Sequence, residues 1–168
     1  EERIAPLPDT LVLAAEQVQV LRYGENPHQS AALYRFAGVP PAFDQLQGKE
    51  LSYNNLVDLE AAWAMPQEFD RPAAAIIKHT NPSGLAEDDD LVEAYRLALE
   101  CDPVSAYGGI IALNREATRA LVTEIGGLFI EVLAAPGYTP EALEWLAEHK
   151  KNCRVMVDTV KKTIVLYQ

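Results

Sequence analysis

Apolar and polar positions alternate along the chain in short runs whose period shifts between that of a strand and that of a helix. Ala74-Ala75-Ile76-Ile77 is an unbroken apolar run ending in Lys78 and His79, the pattern of a strand buried on both faces. Before it, Leu11 to Val20 is mixed, Arg22 to Gln29 reads as a polar loop, and Ala32 to Phe36 reads as a strand ended by Gly38, Pro40 and Pro41. Asn54 or Asn55 can cap a helix running through Trp63, with Leu56, Leu59, Ala62 and Trp63 on one face and Pro66 closing the region.

After the central run, Pro82 and Gly84 predict a turn. Asp88 to Asp90 then open a helix carrying Leu91, Val92, Tyr95, Leu97, Ala98 and Leu99. Gly108-Gly109 leads into a buried strand at Ile110 to Leu113, and Glu116 to Ile125 reads as a helix ended by Gly126-Gly127. Leu128 to Leu133 reads as a strand, Pro136 to Tyr138 as a turn, and Pro140 opens a helix through His149. Arg154 to Val157 and Thr163 to Tyr167 complete the pattern as strands. This alternation predicts an α/β fold with a layered mixed sheet and flanking helices, with residues 1–168 forming one domain.

Composition narrows the chemistry. Hydrophobic residues make up 49% of the 168, which suits a packed core, and no run approaches the roughly 20 apolar residues that span a bilayer. Lys and Arg total 14 against 25 Asp and Glu, a formal net charge of -11 that disfavours nucleic acid and anionic membranes as partners. The chain opens at Glu1-Glu2-Arg3 without methionine or a signal-peptide pattern, so a processed product or part of a longer polypeptide is expected. Two cysteines, Cys101 and Cys153, fit reduced thiols and a cytoplasmic setting.

Several groups are candidates for chemistry. Lysine beside histidine makes an acid/base pair, because the cation disfavours a second charge on the imidazole and can itself stabilise a developing anion. In an extended strand Lys78 and His79 would face opposite ways, so cooperation requires a bend near Thr80. The bland alternative is a strand-capping lysine next to a packing histidine. Arg22, Tyr23 and His28 share a loop that could grip a phosphate or simply be solvated. Asn55 could bond a ligand or cap its helix, and Gly108 permits close approach of backbone to a ligand or merely feeds a strand. Glu131 interrupts an apolar strand, where a carboxylate must face solvent, find a partner or serve a site. No metal is predicted: His28, His79 and His149 are far apart in sequence, and the zinc-deaminase signature is missing.

Five ordered blocks now read together: Leu21 to Gln29 (LRYGENPHQ), Leu51 to Asp58 (LSYNNLVD), Lys78 to Gly84 (KHTNPSG), Asp102 to Gly109 (DPVSAYGG) and Ala135 to Leu143 (APGYTPEAL). They resemble the AICAR transformylase portion of the bifunctional purine-biosynthesis family and are spread through most of the span from Leu21 to Leu146. The resemblance implies transfer of a formyl group from the cosubstrate 10-formyltetrahydrofolate to the 5-amino group of AICAR. It implies His79 as the proton acceptor and Lys78 as the stabiliser of the transition state. Arg22, Tyr23, His28, Asn55, Gly108 and Glu131 would contribute to the AICAR site, position 131 being one where the family can also carry aspartate. It further implies a homodimer and a cytidine-deaminase-like subdomain without the zinc site. The family's upstream cyclohydrolase domain and second transformylase subdomain have no counterpart in these 168 residues. A non-catalytic purine-nucleotide-binding or assembly module on the same scaffold is the competing reading.

Overall fold

The structure, a computed structural model, describes residue 10 and residues 12–159. The strand predicted at Thr163 to Tyr167 lies outside the described residues. In chain order the elements are β1 (Ala15–Val20), β2 (Ala32–Phe36), β3 (Phe43–Gln47), α1 (Tyr53–Ala64), β4 (Ala73–Lys78), β5 (Asn81–Glu87), α2 (Leu91–Cys101), β6 (Gly109–Leu113), α3 (Arg119–Ile125), β7 (Ile130–Ala135), α4 (Pro140–His149) and β8 (Arg154–Asp158). The fold is α/β, as the alternation predicts. β1 and β2 pair as an antiparallel ribbon, and the other six strands form one sheet in the order β3-β8-β7-β6-β4-β5.

The sheet is mixed. β6, β7 and β8 run parallel to one another, whereas β4 is antiparallel to β6, β5 to β4, and β3 to β8. Side chains of the central strands alternate between two packed layers, as the period of two requires. Ile76, Ile111, Leu113 and Leu133 face α2, α3 and α4, meeting Tyr95, Leu121, Val122 and Leu146. Ile77, Ile110, Ala112 and Val132 face the other way, against Leu59 and Ala62 of α1. Each fully buried isoleucine contributes roughly 1.5–3 kcal/mol of apolar burial, so these inner strands form the rigid platform beneath the loops.

Polar side chains set the helix starts. Asp90, Thr118 and Thr139 cap α2, α3 and α4, each accepting from a backbone N–H of the first turn. At α1 the cap is Ser52, correcting the expectation of Asn54 or Asn55. Ser52 accepts from the Asn55 amide while the Asn55 side chain accepts from the Ser52 amide, a reciprocal capping box.

Two further elements differ from expectation. Phe43–Gln47 forms strand β3, a stretch to which the sequence pattern assigned no element. The Asn81 to Gly84 stretch is not a tight turn but the start of β5, an edge strand that tolerates Pro82 because one side of it needs no ladder donor. Gly84 serves packing rather than turning, since a Cβ there would lie 1.8 Å from the Ala98 carbonyl oxygen of α2.

Candidate active site

The mixed sheet brings distant segments to one end. Because β4 runs against β6, its last residue, Lys78, lies beside the first residues of β6, and the parallel pairing continues that line through Ile130 of β7 to Arg154 of β8. The sequence reading placed the Lys78-His79 pair at a strand's carboxyl end. The structure agrees, and it shows that the neighbouring strands contribute their amino ends.

The bend required at the pair is a two-residue hairpin loop. Lys78 pairs with Asn81 across it, and the loop residues His79 and Thr80 both have positive φ, 53° and 60°. A hairpin of this kind usually uses asparagine and glycine, and a β-branched threonine in the left-handed region is strained. Such outliers persist where surrounding contacts over-determine them and concentrate at functional sites. Here the Asp58 carboxylate, on α1, accepts from the His79 amide at 3.3 Å and the Thr80 amide at 2.7 Å. The turn exposes the His79 side chain while Lys78 remains half-buried.

Lys78 is anchored by a hydrogen bond from Nζ to the Tyr107 carbonyl at 2.7 Å. An ammonium has three N–H donors, so two remain for a ligand. The adjacent Gly108 has φ 76°, and its amide donates to the Phe129 carbonyl at 2.8 Å, tying this loop to the head of β7. Beside the hairpin lies an open depression of about 400 Å³ lined by Lys78, His79, Asn81, Ser83, Asp102 and Ser105. The Ser105 side chain and backbone hold the Asp102 carboxyl below its usual pKa, with the Ser105 amide 2.9 Å from Asp102 Oδ1. Asp102 thus adds a carboxylate to the lining that also holds Lys78.

Glu131 neither faces water freely nor stands alone. Its carboxylate accepts from Nη1 of Arg154 at 2.5 Å, and Arg154 Nε donates to the Glu50 carbonyl at 2.8 Å. Arg154 is 1% exposed and is the residue that sequence reasoning passed over, having read it simply as the first residue of a strand. A cation opening an otherwise apolar strand is the signal that marks Arg154 as needing a partner, though not which one. Glu50 adjoins Leu51, whose carbonyl accepts from the Arg22 amide at 3.1 Å, and the Tyr53 amide donates to the Tyr23 carbonyl at 3.2 Å. The Arg22-Tyr23 segment thus docks at the same end of the sheet. The Arg22 guanidinium lies 4.8 Å from the Tyr23 ring centroid and donates to its hydroxyl at 3.3 Å, so both polar tips point from one stacked unit.

The remaining candidates sit differently. His28 is exposed on a small loop closed by the Gly24 amide bonding the Gln29 carbonyl. Asn55 is 9% exposed, and its side-chain oxygen is committed to the capping box. Among the described residues no group of three His, Cys, Asp or Glu side chains is arranged to hold a metal ion, and no helix is long and apolar enough to cross a membrane. Cys101 is exposed and Cys153 buried, and both are free thiols.

The geometry defines an α/β protein whose candidate site, at one end of a mixed sheet, sets a lysine at a strand end beside a histidine on a strained turn, with an arginine-tyrosine unit on a separate loop. The chain belongs to the AICARFT/IMPCHase bienzyme family, whose model matches residues 1–165. It is 50% identical over 164 residues to the bifunctional purine biosynthesis protein PurH of Magnetococcus marinus (strain ATCC BAA-1437 / JCM 17883 / MC-1). That match covers 93% of this chain and 30% of the relative, so the chain spans about a third of the length of that protein.

Proposed function

We propose that this chain is the first transformylase subdomain of a bifunctional purine-biosynthesis enzyme, with a deaminase-like fold that uses no zinc. Its sheet-end site serves formyl transfer from 10-formyltetrahydrofolate to AICAR. The observation that carries this reading is the Lys78-His79 pair held on a strained, two-residue turn. A purely structural hairpin would relax to glycine or asparagine there.

In this mechanism the AICAR amine attacks the formyl carbon, a new C–N bond forms, and the bond to the folate nitrogen breaks. His79, exposed on the turn, accepts the amine proton, and the departing folate nitrogen takes up a proton in turn. Lys78, anchored through Tyr107, directs its free N–H donors at the formyl oxygen as charge gathers there. The Arg22-Tyr23 unit suits the substrate phosphate, with guanidinium and phenol as charge-assisted donors. Glu131, oriented by Arg154, suits the polar edge of the base, and Gly108 lets the backbone approach it. His28 and Asn55 take outer roles at most, since one sits exposed on a separate small loop and the other is committed to a helix start. The complete enzyme works as a cytoplasmic homodimer whose remaining chain closes the folate side.

A non-catalytic nucleotide-binding module would use Arg22 and Tyr23 equally well, but it gives the strained Lys78-His79 turn no task. Formyl-transfer assays on this chain, alone and completed by the rest of the family protein, separate the readings. Activity in the completed form is expected, and inactivity in both would overturn the enzyme reading. Calorimetry with AICAR tests the phosphate grip, which predicts that Arg22→Ala abolishes binding.

A further inference from the structure

Asp58 lies on α1, away from the acid/base pair in sequence, yet it is the group that holds the pair's backbone. Its two carboxylate oxygens accept separately from the His79 and Thr80 amides, at 3.3 and 2.7 Å. Among the described residues, those are the two non-glycine residues with positive φ. Their own side chains and carbonyls add local support: Thr80 Oγ1 donates to the His79 carbonyl at 2.6 Å, and Asn81 Nδ2 donates to the same carbonyl at 2.8 Å. These local bonds travel with the turn, whichever way it faces. Among the described residues, the Asp58 contacts alone tie the turn's amides to a packed helix, since α1 is anchored in the core by Leu59 and Ala62.

We propose that Asp58 is a positioning residue for the formyl-transfer site, clamping the left-handed His79-Thr80 turn so that His79 meets the amine at bonding distance. The inference rests on His79 acting as the base. A carboxylate suits the task, because two anionic oxygens satisfy two adjacent N–H groups in charge-assisted bonds, whereas a neutral amide offers one acceptor and one donor. Asp58→Asn therefore keeps the helix and the volume but turns an NH2 group toward one backbone amide.

The test has two arms. In the completed enzyme, Asp58→Ala is expected to lower kcat about 100-fold with KM for AICAR nearly unchanged, the scale of an ångström-sized misplacement of a reacting group. Asp58→Asn falls between Asp58→Ala and the parent. Adding Thr80→Gly to Asp58→Ala removes the left-handed penalty at that position and should restore about tenfold. A general structural role would show no such rescue. In the second arm, NMR of this chain follows the His79 and Thr80 amides, whose coupling constants should leave the left-handed range in Asp58→Ala. An inactive parent enzyme would overturn the proposed function while leaving the NMR arm to decide whether Asp58 clamps the turn. Unchanged kcat in Asp58→Ala, absence of rescue, or amides indifferent to Asp58 would each overturn the positioning role.

Discussion

The Glu131-Arg154 pair yields an asymmetry that bulk charge counting would miss. Arg154 is 1% exposed at its side chain, whereas Glu131 is 37% exposed. Truncating the carboxylate in Glu131→Ala strands a guanidinium in the sheet end with the Glu50 carbonyl as its close acceptor. Leaving one partner of a buried pair uncompensated costs about 3–5 kcal/mol, and partial water access through the Glu131 position reduces this to roughly 2–3 kcal/mol. Arg154→Met is the opposite case. It removes the buried charge, fills similar volume with apolar atoms, and leaves a carboxylate already partly in water, for a net cost within about 1 kcal/mol. Urea unfolding with the slope held in view is the assay. With slopes of about 1–3 kcal/mol/M, Glu131→Ala should lower the midpoint by on the order of 1 M and Arg154→Met by much less. Equal losses, or a larger loss in Arg154→Met, would refute the reasoning that desolvation of the arginine dominates.

Other outcomes follow from individual contacts. Gly84→Ala forces a Cβ onto the α2 backbone and should cost about 3 kcal/mol or more in the same urea assay, against the few tenths expected if Gly84 merely relieved a turn. Lys78→Met in the completed enzyme should lower kcat by about 10²–10³, as loss of an oxyanion donor does, with binding of AICAR largely retained. Thiol labelling of the native chain near pH 8 should modify Cys101 rapidly and Cys153 only on unfolding, since burial pushes the Cys153 thiol up to about 12. Asp102 has a folded-state pKa below its ordinary 3.8, so its contribution to stability is intact above that value and is lost as the pH falls through the lower folded value. Thermal melts from pH 5 downward should show a shallower acid loss for Ser105→Ala than for the parent.

How far the sequence could be read depended on whether local pattern or tertiary pairing decided each element. The apolar runs at Ala74 to Ile77 and Ile110 to Leu113 announced buried strands, and Asp90 and Pro140 marked helix starts, because those signals are local. β5 escaped notice because NPSGLAE has a poor strand composition, and its conformation is imposed by the hairpin with β4 and the close approach of α2. β3 is likewise an edge strand with polar alternation, held by pairing with β8. The bend at His79 was inferred from the demands of cooperation, but the residues that enforce it were not, since Asp58 reaches the turn only after α1 packs on the sheet. Glu131 stood out as a carboxylate in an apolar strand. Its partner did not, because nothing local in Arg154 to Val157 reveals which strand lies alongside.

The sheet order that unites the ends of β4, β6, β7 and β8 also dictates when the site can exist. Lys78 meets its carbonyl anchor 29 positions along the chain, Glu131 meets Arg154 across 23, and Arg154 reaches back to Glu50 across 104. Each closure loses chain entropy before its contacts are gained, and the longest waits for one of the last described strands. During synthesis, then, the lysine and histidine emerge well before the segments that orient them, and the nascent chain holds open strand edges until β8 arrives. The site is a product of completed topology, and removing β8 would unhook the Arg154 links to Glu131 and Glu50 while leaving the Lys78-His79 hairpin itself in place.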